Sequence, residues 1–122
     1  MIDSTRLRQL VAAIPGTRDD SSDSRLAFGC GERGFAWTFM QRDAPRQPRW
    51  PNLEVLAISC PLETKAFLIE AAPDIYFDDP HYNGFPAVLT RLNVIGEEEL
   101  SERLAAAVAY QMSRPPKRKR TK

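Results

Sequence analysis

His81 is the only histidine of the chain, and it follows three acidic residues, Asp74, Asp78 and Asp79. Histidine and carboxylate side chains are common metal ligands, so this stretch is a candidate metal site. The spacing matches no strong ligand motif, however, and Asp-Asp-Pro is also an ordinary turn signal. We therefore predict a histidine that is hydrogen-bonded in a structured loop, with no metal site and no cofactor.

Aromatic residues and an arginine accompany this acidic loop. The residues that could line a small cleft, where the loop covers a sheet, are Trp37, His81, Tyr82, Phe85 and Arg91. An arginine at the edge of such a cleft would select an anion. The alternative is that the aromatic residues belong to the core and that the arginine faces water. In the first case the partner is a small anion or another protein.

A second candidate site is the proline-rich segment QRDAPRQPRWPN, residues 41–52, which contains Arg42, Arg46, Arg49 and Trp50. Arginines beside an exposed indole ring can hold a nucleic-acid backbone and stack a base. The alternative is a hairpin loop whose Trp50 folds back on the sheet, because large aromatic residues are mostly buried.

The C-terminal segment is strongly basic. From Arg114 onward, the last nine residues hold six of the 17 basic residues and no acidic residue, so the rest of the chain, with 16 acidic residues, is negative. The tail residues that could contact nucleic acid are Arg114, Lys117, Arg118, Lys119 and Arg120. A flexible basic arm binds phosphate groups without sequence preference. The alternative is a solvated end that keeps the protein soluble, and the negative body counts against DNA binding.

The motifs of common enzyme classes are missing from the sequence. It contains no Gly-rich phosphate loop, no GxSxG elbow and no HExxH pair. Cys30 and Cys60 are too few for a disulfide framework and lack zinc-site spacing, so we predict two thiols in or at the edge of the core. A non-catalytic protein is therefore the prediction.

Composition predicts one soluble domain. The chain has 122 residues, of which 43% are hydrophobic and 27% are charged, as in soluble globular proteins. No apolar run approaches the ~20 residues of a membrane span, and the N-terminus lacks a secretory leader. We predict a cytoplasmic protein with one domain over residues 1–113, a flexible tail over residues 114–122 and no membrane partner. The sequence leaves the oligomeric state open.

Periodicity predicts the elements that must position these residues. Helices are predicted at residues 3–14, 61–72 and 97–113. Strands are predicted at residues 25–30, 34–40, 53–60 and 87–95, with residues 17–24 a polar loop and residues 74–85 irregular or holding a short edge strand. The order α-β-β-β-α-(β)-β-α predicts a two-layer α+β domain, in which helices cover one face of an antiparallel sheet.

Three finer predictions concern which side chains share a face. Phe35, Trp37 and Phe39 alternate along a strand and are predicted to lie on one face. In the second helix, the side chains predicted to be buried are Leu62, Ala66, Phe67 and Ile69. In the last helix, the predicted apolar stripe is Leu100, Leu104, Val108 and Met112.

The segment VLAISCPLETKAFLIEAAPDIYFDDPHYNGFPAVLTRLNVIGEEEL, with the order of elements above, resembles the MmcQ/YjbR family of small bacterial proteins. The resemblance covers residues 3–113 and is strongest from Gly34 to Leu104. It implies a compact α/β domain similar to frataxin-like or secretion-chaperone-like folds, and many members are described as DNA-binding proteins. No catalytic residues define the family. The expected function is weak, sequence-independent nucleic-acid binding, and the alternative is a protein-interaction or small-ligand module.

Overall fold

A computed structural model describes residues 1–115 of the chain. Residues 116–122 lie outside the described residues, and with them the predicted nucleic-acid contacts Lys117, Arg118, Lys119 and Arg120. The predicted flexibility of the basic tail therefore stays a prediction. Arg114 is described, and its side chain is exposed.

Three helices form close to their predicted positions. α1 spans Ser4–Ala12, α2 spans Leu62–Ala71 and α3 spans Glu97–Ser113. Asp3 caps α1, because its carboxylate accepts a hydrogen bond from the backbone N–H of Arg6 at 2.8 Å. The first turn of α3 holds three glutamates, which stabilise the positive end of the helix dipole. Within residues 1–115, no helix has both the length and the apolar character to cross a membrane.

Within the described residues, six strands form one sheet. They are β1 (Thr17–Asp19), β2 (Ala27–Cys30), β3 (Arg33–Gln41), β4 (Trp50–Ser59), β5 (Tyr76–Phe77) and β6 (Ala87–Arg91). The strand order is β1-β2-β3-β4-β6-β5, and every neighbouring pair is antiparallel. A 3-10 helix, Pro80–Tyr82, lies between β5 and β6. The predicted α+β class is confirmed. The prediction of a polar loop over residues 17–24 is wrong for residues 17–19, which form β1; they carry no apolar alternation from which a strand could be predicted.

The helices cover one face of the sheet. Leu7 of α1 and Leu104 of α3 are fully buried in the main core cluster, together with Phe28 and Ile58 of the sheet, and Leu68 of α2 packs against it. The other face carries a smaller apolar cluster to which no helix of this layer contributes: Phe39, Val55, Ala57, Tyr82, Ala87 and Leu89. We call this second side the open face. As predicted, β4 is a central strand, and from Val55 onward it is buried on both sides.

A bulge moves one aromatic residue of β3 to the helix-covered side. Phe28 pairs with Ala36 and Gly29 pairs with Gly34, so Phe35 is the extra residue between the two pairs. The rings of Phe35 and Phe28 lie 6.5 Å apart in the main core, whereas Trp37 and Phe39 belong to the open face. The prediction that the three aromatic residues of β3 share one face is wrong for Phe35, since an inserted residue breaks the two-residue alternation.

The buried side of α2 differs from the prediction. Leu62, Ala66 and Phe67 are exposed, Ile69 is partly buried, and the buried residue of this helix is Lys65. The prediction is wrong for the three exposed residues. The apolar side chains of α2 are spread around nearly its whole circumference. The sequence pattern therefore cannot indicate which side of the helix contacts the sheet.

The predicted apolar stripe of α3 contacts the core at Leu100, Leu104 and Val108 but not at Met112. Leu100 and Leu104 are fully buried, but Met112 is exposed and Gln111 is buried near the end of the helix. A step of four residues turns about 40° past a full turn on an α-helix. Three such steps carry Met112 out of the core, so the prediction is wrong for this residue.

A candidate ligand cleft on the open face

The loop between β5 and β6 lies against the open face and is built around two turns. The carboxylate of Asp79 accepts a hydrogen bond from the backbone N–H of His81 at 3.0 Å and so caps the 3-10 helix. Gly84 has a φ of +76°, a left-handed conformation that favours glycine. The loop thereby brings Tyr82 and Phe85 together, with their rings at 90° and 5.8 Å apart.

Lys65 of α2 holds this loop in place. Its Nζ atom donates hydrogen bonds to the backbone oxygens of Tyr82 at 2.6 Å and Phe85 at 3.0 Å, and it lies 2.9 Å from the Asp78 carboxylate. Only 5% of the lysine side chain is exposed. Lys65 was not among the predicted site residues. The available signal was that it is the only lysine or arginine between Arg49 and Arg91 and that it precedes an acidic loop.

A cleft of about 590 Å³ opens between the loop and the strands β2 and β3. Its aromatic side is formed by Trp37 and Tyr82, with His81 at the loop. The structure therefore brings together three of the residues that the sequence singled out. Arg91 lies elsewhere: its guanidinium stacks on the ring of Phe77 at 4.1 Å and donates to the backbone oxygens of residues 73 and 74.

The hydroxyl of Tyr82 is the central polar group of this cleft. Tyr82 is only 8% exposed, and its oxygen accepts a hydrogen bond from the indole N–H of Trp37 at 2.9 Å. Burial raises the pKa of Tyr82, so the hydroxyl keeps its proton at neutral pH. Within residues 1–115 that proton has no acceptor. The Tyr82 hydroxyl therefore presents an unused donor to the cleft.

The charged side chains of the cleft leave it positive. Arg25 and Arg49 both line it. The Arg25 guanidinium makes no hydrogen bond or ion pair within the described part of the chain, and that of Arg49 donates only to the Met40 backbone oxygen, at 3.2 Å. The one acidic lining residue, Asp20, is paired with Arg18 at 3.0 Å. Two arginines thus face the cleft without a carboxylate partner.

His81 is exposed, and its ring lies 5.7 Å from that of Tyr82. Its backbone N–H is hydrogen-bonded within the loop, whereas its imidazole makes no hydrogen bond within residues 1–115. In this part of the chain no three His, Cys, Asp or Glu side chains are arranged to hold a metal ion. The absence of a metal site at this loop stays a prediction. Cys30 and Cys60 are both free and buried.

The other candidate residues lie apart from this cleft, except Arg49. Arg42 and Arg46 are exposed in the turn between β3 and β4. Trp50 is the first residue of β4 rather than part of a loop. Its indole N–H donates a hydrogen bond of 2.9 Å to the Asp43 carboxylate. Trp50 remains 41% exposed. Arg114 lies at the other end of the β3–β4 hairpin, close to Gly34.

Comparison with known proteins identifies distant relatives. The chain is 27% identical over 106 residues to the uncharacterized protein Rv2570 of Mycobacterium tuberculosis and to the uncharacterized protein Mb2600 of Mycobacterium bovis. The match covers 81% of this chain and 80% of each relative. No family model matches the chain. No solved structure matches it either.

Proposed function

We propose that this protein is a non-catalytic binding module that takes a small anionic ligand in the cleft between Trp37 and Tyr82. The observation that carries the proposal is the Tyr82 hydroxyl, a buried donor without an acceptor in residues 1–115, beside Arg25 and Arg49. Water can accept this proton in the empty cleft, so a ligand oxygen that replaces the water gains the net free energy of one hydrogen bond, about 0.5–1.5 kcal/mol.

Charge and size define the ligand. A guanidinium binds phosphate or carboxylate oxygens through charge-assisted hydrogen bonds, which are about twice as strong as neutral ones. The volume of about 590 Å³ lies within the roughly 300–1,000 Å³ of small-molecule sites. The indole of Trp37 offers an apolar surface beside the cations. The ligand is therefore a small organic phosphate or carboxylate with a flat apolar group.

The experiment is a titration of the full-length protein with phenyl phosphate, followed by NMR at the indole N–H of Trp37. We expect this signal to shift at millimolar ligand. Arg49→Gln should weaken binding by about tenfold or more, because a hydrogen bond to a charged group contributes roughly 1.5–3 kcal/mol. Tyr82→Phe keeps the ring and should weaken binding by about fivefold.

The matched control is Arg8→Gln, which removes an arginine on α1 whose partner is Asp19 at 3.3 Å. This variant should bind as the original protein does. An Arg49→Gln protein that binds as tightly as the Arg8→Gln protein would exclude the cleft as the anion site.

A second candidate function is weak nucleic-acid binding through the Arg42–Trp50 turn and the basic tail. Arg42 and Arg46 are exposed and make no ion pair within residues 1–115, and the half-exposed ring of Trp50 donates a hydrogen bond to Asp43. The turn and the start of the tail do not form a single basic surface. Arg114 lies beside Arg33 at the start of β3, whereas the turn follows the end of this strand, roughly 26 Å away.

Salt dependence separates the contributions of the tail and the turn. Full engagement of six tail cations would give a slope of log affinity against log salt of up to about −5 on duplex DNA. Removal of residues 115–122 should flatten that slope, because five of the six cations are lost. Trp50→Ala should instead weaken single-strand binding by about 1–3 kcal/mol and leave the slope unchanged. If neither DNA form binds at low salt, this second candidate fails.

We also propose that the chain is a divergent member of the MmcQ/YjbR family. The proposal is supported by the sequence segment 55–100 and by the order of its elements: an apolar strand, a helix, an acidic loop, a strand and a closing helix. A solved structure of an undisputed member with the same strand order and the same loop on the open face would support it. A different strand order would exclude it.

A further inference from the structure

A second depression, of about 530 Å³, lies on the other side of Trp37 from the ligand cleft. We call it the α3 pocket, because the end of α3 forms one of its sides. It is lined by Arg33, Gly34, Trp37, Ser59, Phe85, Pro86, Gln111 and Arg114. Only Trp37 is shared with the first cleft. None of the lining residues is acidic.

Ser59 places a buried hydrogen-bond donor in the α3 pocket. Ser59 is 2% exposed, and its hydroxyl oxygen accepts a hydrogen bond from the side-chain N–H of Gln111 at 2.9 Å. The same amide nitrogen donates to the backbone oxygen of Gly34 at 3.2 Å, and the amide oxygen accepts from Arg114 at 3.1 Å. These partners fix the orientation of the Gln111 amide. The hydroxyl proton of Ser59 is left without an acceptor in the described residues.

Two guanidinium groups make the α3 pocket positive. Arg33 donates to the backbone oxygens of Gln111 and Pro115, and Arg114 donates to the Gln111 side chain and lies 5.6 Å from the ring of Tyr110. Each guanidinium has five N–H groups, so both keep free donors. The negative end of the α3 dipole contributes about half an elementary charge. Two positive side chains exceed this charge, and the pocket stays attractive to an anion.

The remaining surface of the α3 pocket is apolar. The ring of Phe85 is exposed there and meets the indole of Trp37 edge-on, at 73° and 6.2 Å. Pro86 continues this surface. We propose that the α3 pocket is a second anion site, which holds the phosphate of an aromatic phosphate ester on Ser59, Arg33 and Arg114 while the aromatic ring packs on Phe85. The site stands on its own residues and does not depend on the ligand of the first cleft.

A purely structural role for the arginines makes a different prediction. Arg33 and Arg114 satisfy polar groups at the end of α3, where the last carbonyl groups have no partner within the helix. The Ser59 hydroxyl proton takes no part in this capping. Ser59→Ala therefore removes the donor that the ligand needs while Arg33 keeps its two backbone contacts, and Gln111 keeps its hydrogen bond to the Gly34 backbone oxygen. If the arginines only cap the helix, phosphate does not bind in the α3 pocket, and any phosphate binding elsewhere on the protein is unaffected by Ser59→Ala.

The test is an NMR titration of the full-length protein with phenyl phosphate and, separately, with inorganic phosphate. The reporter is the side-chain amide of Gln111, which lies in the α3 pocket and not in the first cleft. We expect its signals to shift with both anions and more strongly with phenyl phosphate. Ser59→Ala should weaken binding at this reporter about fivefold, and Arg33→Gln should weaken it about tenfold.

Two controls keep the result interpretable. Ser113→Ala removes an exposed serine hydroxyl near the end of α3, one that donates to the Tyr110 backbone oxygen, and should leave binding unchanged. Arg33→Gln provides a second measurement if Ser59→Ala lowers the melting temperature. If the Gln111 signals stay still while the Trp37 indole signal shifts and responds to Arg49→Gln, the α3 pocket is not an anion site and the first cleft remains. The proposal is also overturned if the Gln111 signals of the Ser59→Ala and Arg33→Gln proteins both titrate with the affinity of the original protein.

Discussion

The Nζ atom of Lys65 lies 2.9 Å from a carboxylate oxygen of Asp78, and the two residues join α2 to the loop on the open face. The same ammonium group donates to two backbone oxygens further along the loop. One side chain thus uses its three donors on three acceptors. Because Tyr82 is one of the two residues held in this way, the position of its hydroxyl in the cleft depends on Lys65.

Lys65→Met should destabilise the protein and weaken ligand binding in the first cleft. The substitution keeps an unbranched side chain only one atom shorter but leaves two carbonyl groups and a carboxylate without their partner. Removal of one partner of a buried ion pair costs roughly 3–5 kcal/mol. Asp78 is partly exposed, so we expect a smaller loss of about 2–4 kcal/mol in the free energy of unfolding. Urea denaturation measures this loss.

Asp78→Asn is the graded control for this prediction. It retains both hydrogen bonds from Lys65 to the loop backbone and should cost about 1 kcal/mol. If Lys65→Met and Asp78→Asn are equally destabilising, the backbone contacts contribute little and the loop is held by the ion pair alone.

The hydroxyl of Thr90 should be dispensable. Thr90 is fully buried in β6, and its hydroxyl is the one buried side-chain group without a hydrogen-bond partner in the described residues. Thr90→Val replaces it with a methyl group of similar shape. We expect the free energy of unfolding to rise by about 1 kcal/mol, since an unpaired buried polar group is costly.

Thr38→Val is the matched control for Thr90. Thr38 is also buried in the sheet, but its hydroxyl oxygen accepts a hydrogen bond from the backbone N–H of Leu26 at 2.8 Å. Its replacement should destabilise the protein by about 1–3 kcal/mol, because the Leu26 donor loses its acceptor. Thermal unfolding of the two variants should therefore shift in opposite directions. A loss of stability in both would show that Thr90 has a partner.

The sequence predicts elements well where one local pattern decides the structure. α3 has its predicted bounds, because the glutamates at its start and the two prolines after its end are local signals. The face of Phe35 could not be predicted in this way. The bulge depends on how β3 pairs with β2, and the alternation of residues 35–39 does not indicate it.

In the candidate sites, too, residue types can be recognised from the sequence, whereas contacts between distant segments cannot. The sequence identifies Trp37, His81 and Tyr82 by residue type, and the structure places them at one cleft. Arg25 and Lys65 were missed, because their roles come from contacts with elements distant in the chain. Arg91 stacks on Phe77 of the edge strand β5 instead of lining the cleft, and this neighbour follows from the strand order, in which β6 lies between β4 and β5.

Cys60 should be unreactive in the native protein at mildly alkaline pH. Burial raises the pKa of its thiol to about 11. Only the thiolate attacks iodoacetamide, so we expect little alkylation of the folded protein near pH 8 and full alkylation of both cysteines in denaturant. Mass spectrometry of digested samples gives the extent of modification at each cysteine. Rapid modification of Cys60 in the folded protein would contradict the burial of this thiol.

The ion pair between α1 and α3 should contribute stability that is lost in acid. The guanidinium of Arg6 lies 2.7 Å from a carboxylate oxygen of Glu97, and its hydrogen bonds lower the pKa of Glu97 below the ordinary value of 4.5. A lowered pKa in the folded state means that the contribution is present above pH 4.5 and disappears as the pH falls through the lower, folded pKa. Glu97→Gln should therefore reduce the steepness of the stability loss in acid.

Glu98→Gln is the control for this last prediction, because Glu98 is exposed on the same turn and makes no ion pair within residues 1–115. The free energy of unfolding should be measured in urea from about pH 7 down to about pH 3, at low salt so that the exposed pair is not screened. We expect Glu97→Gln to be less stable than Glu98→Gln at neutral pH and the two curves to converge at the acidic end. Curves that stay parallel over this range would show that the α1–α3 ion pair does not stabilise the fold.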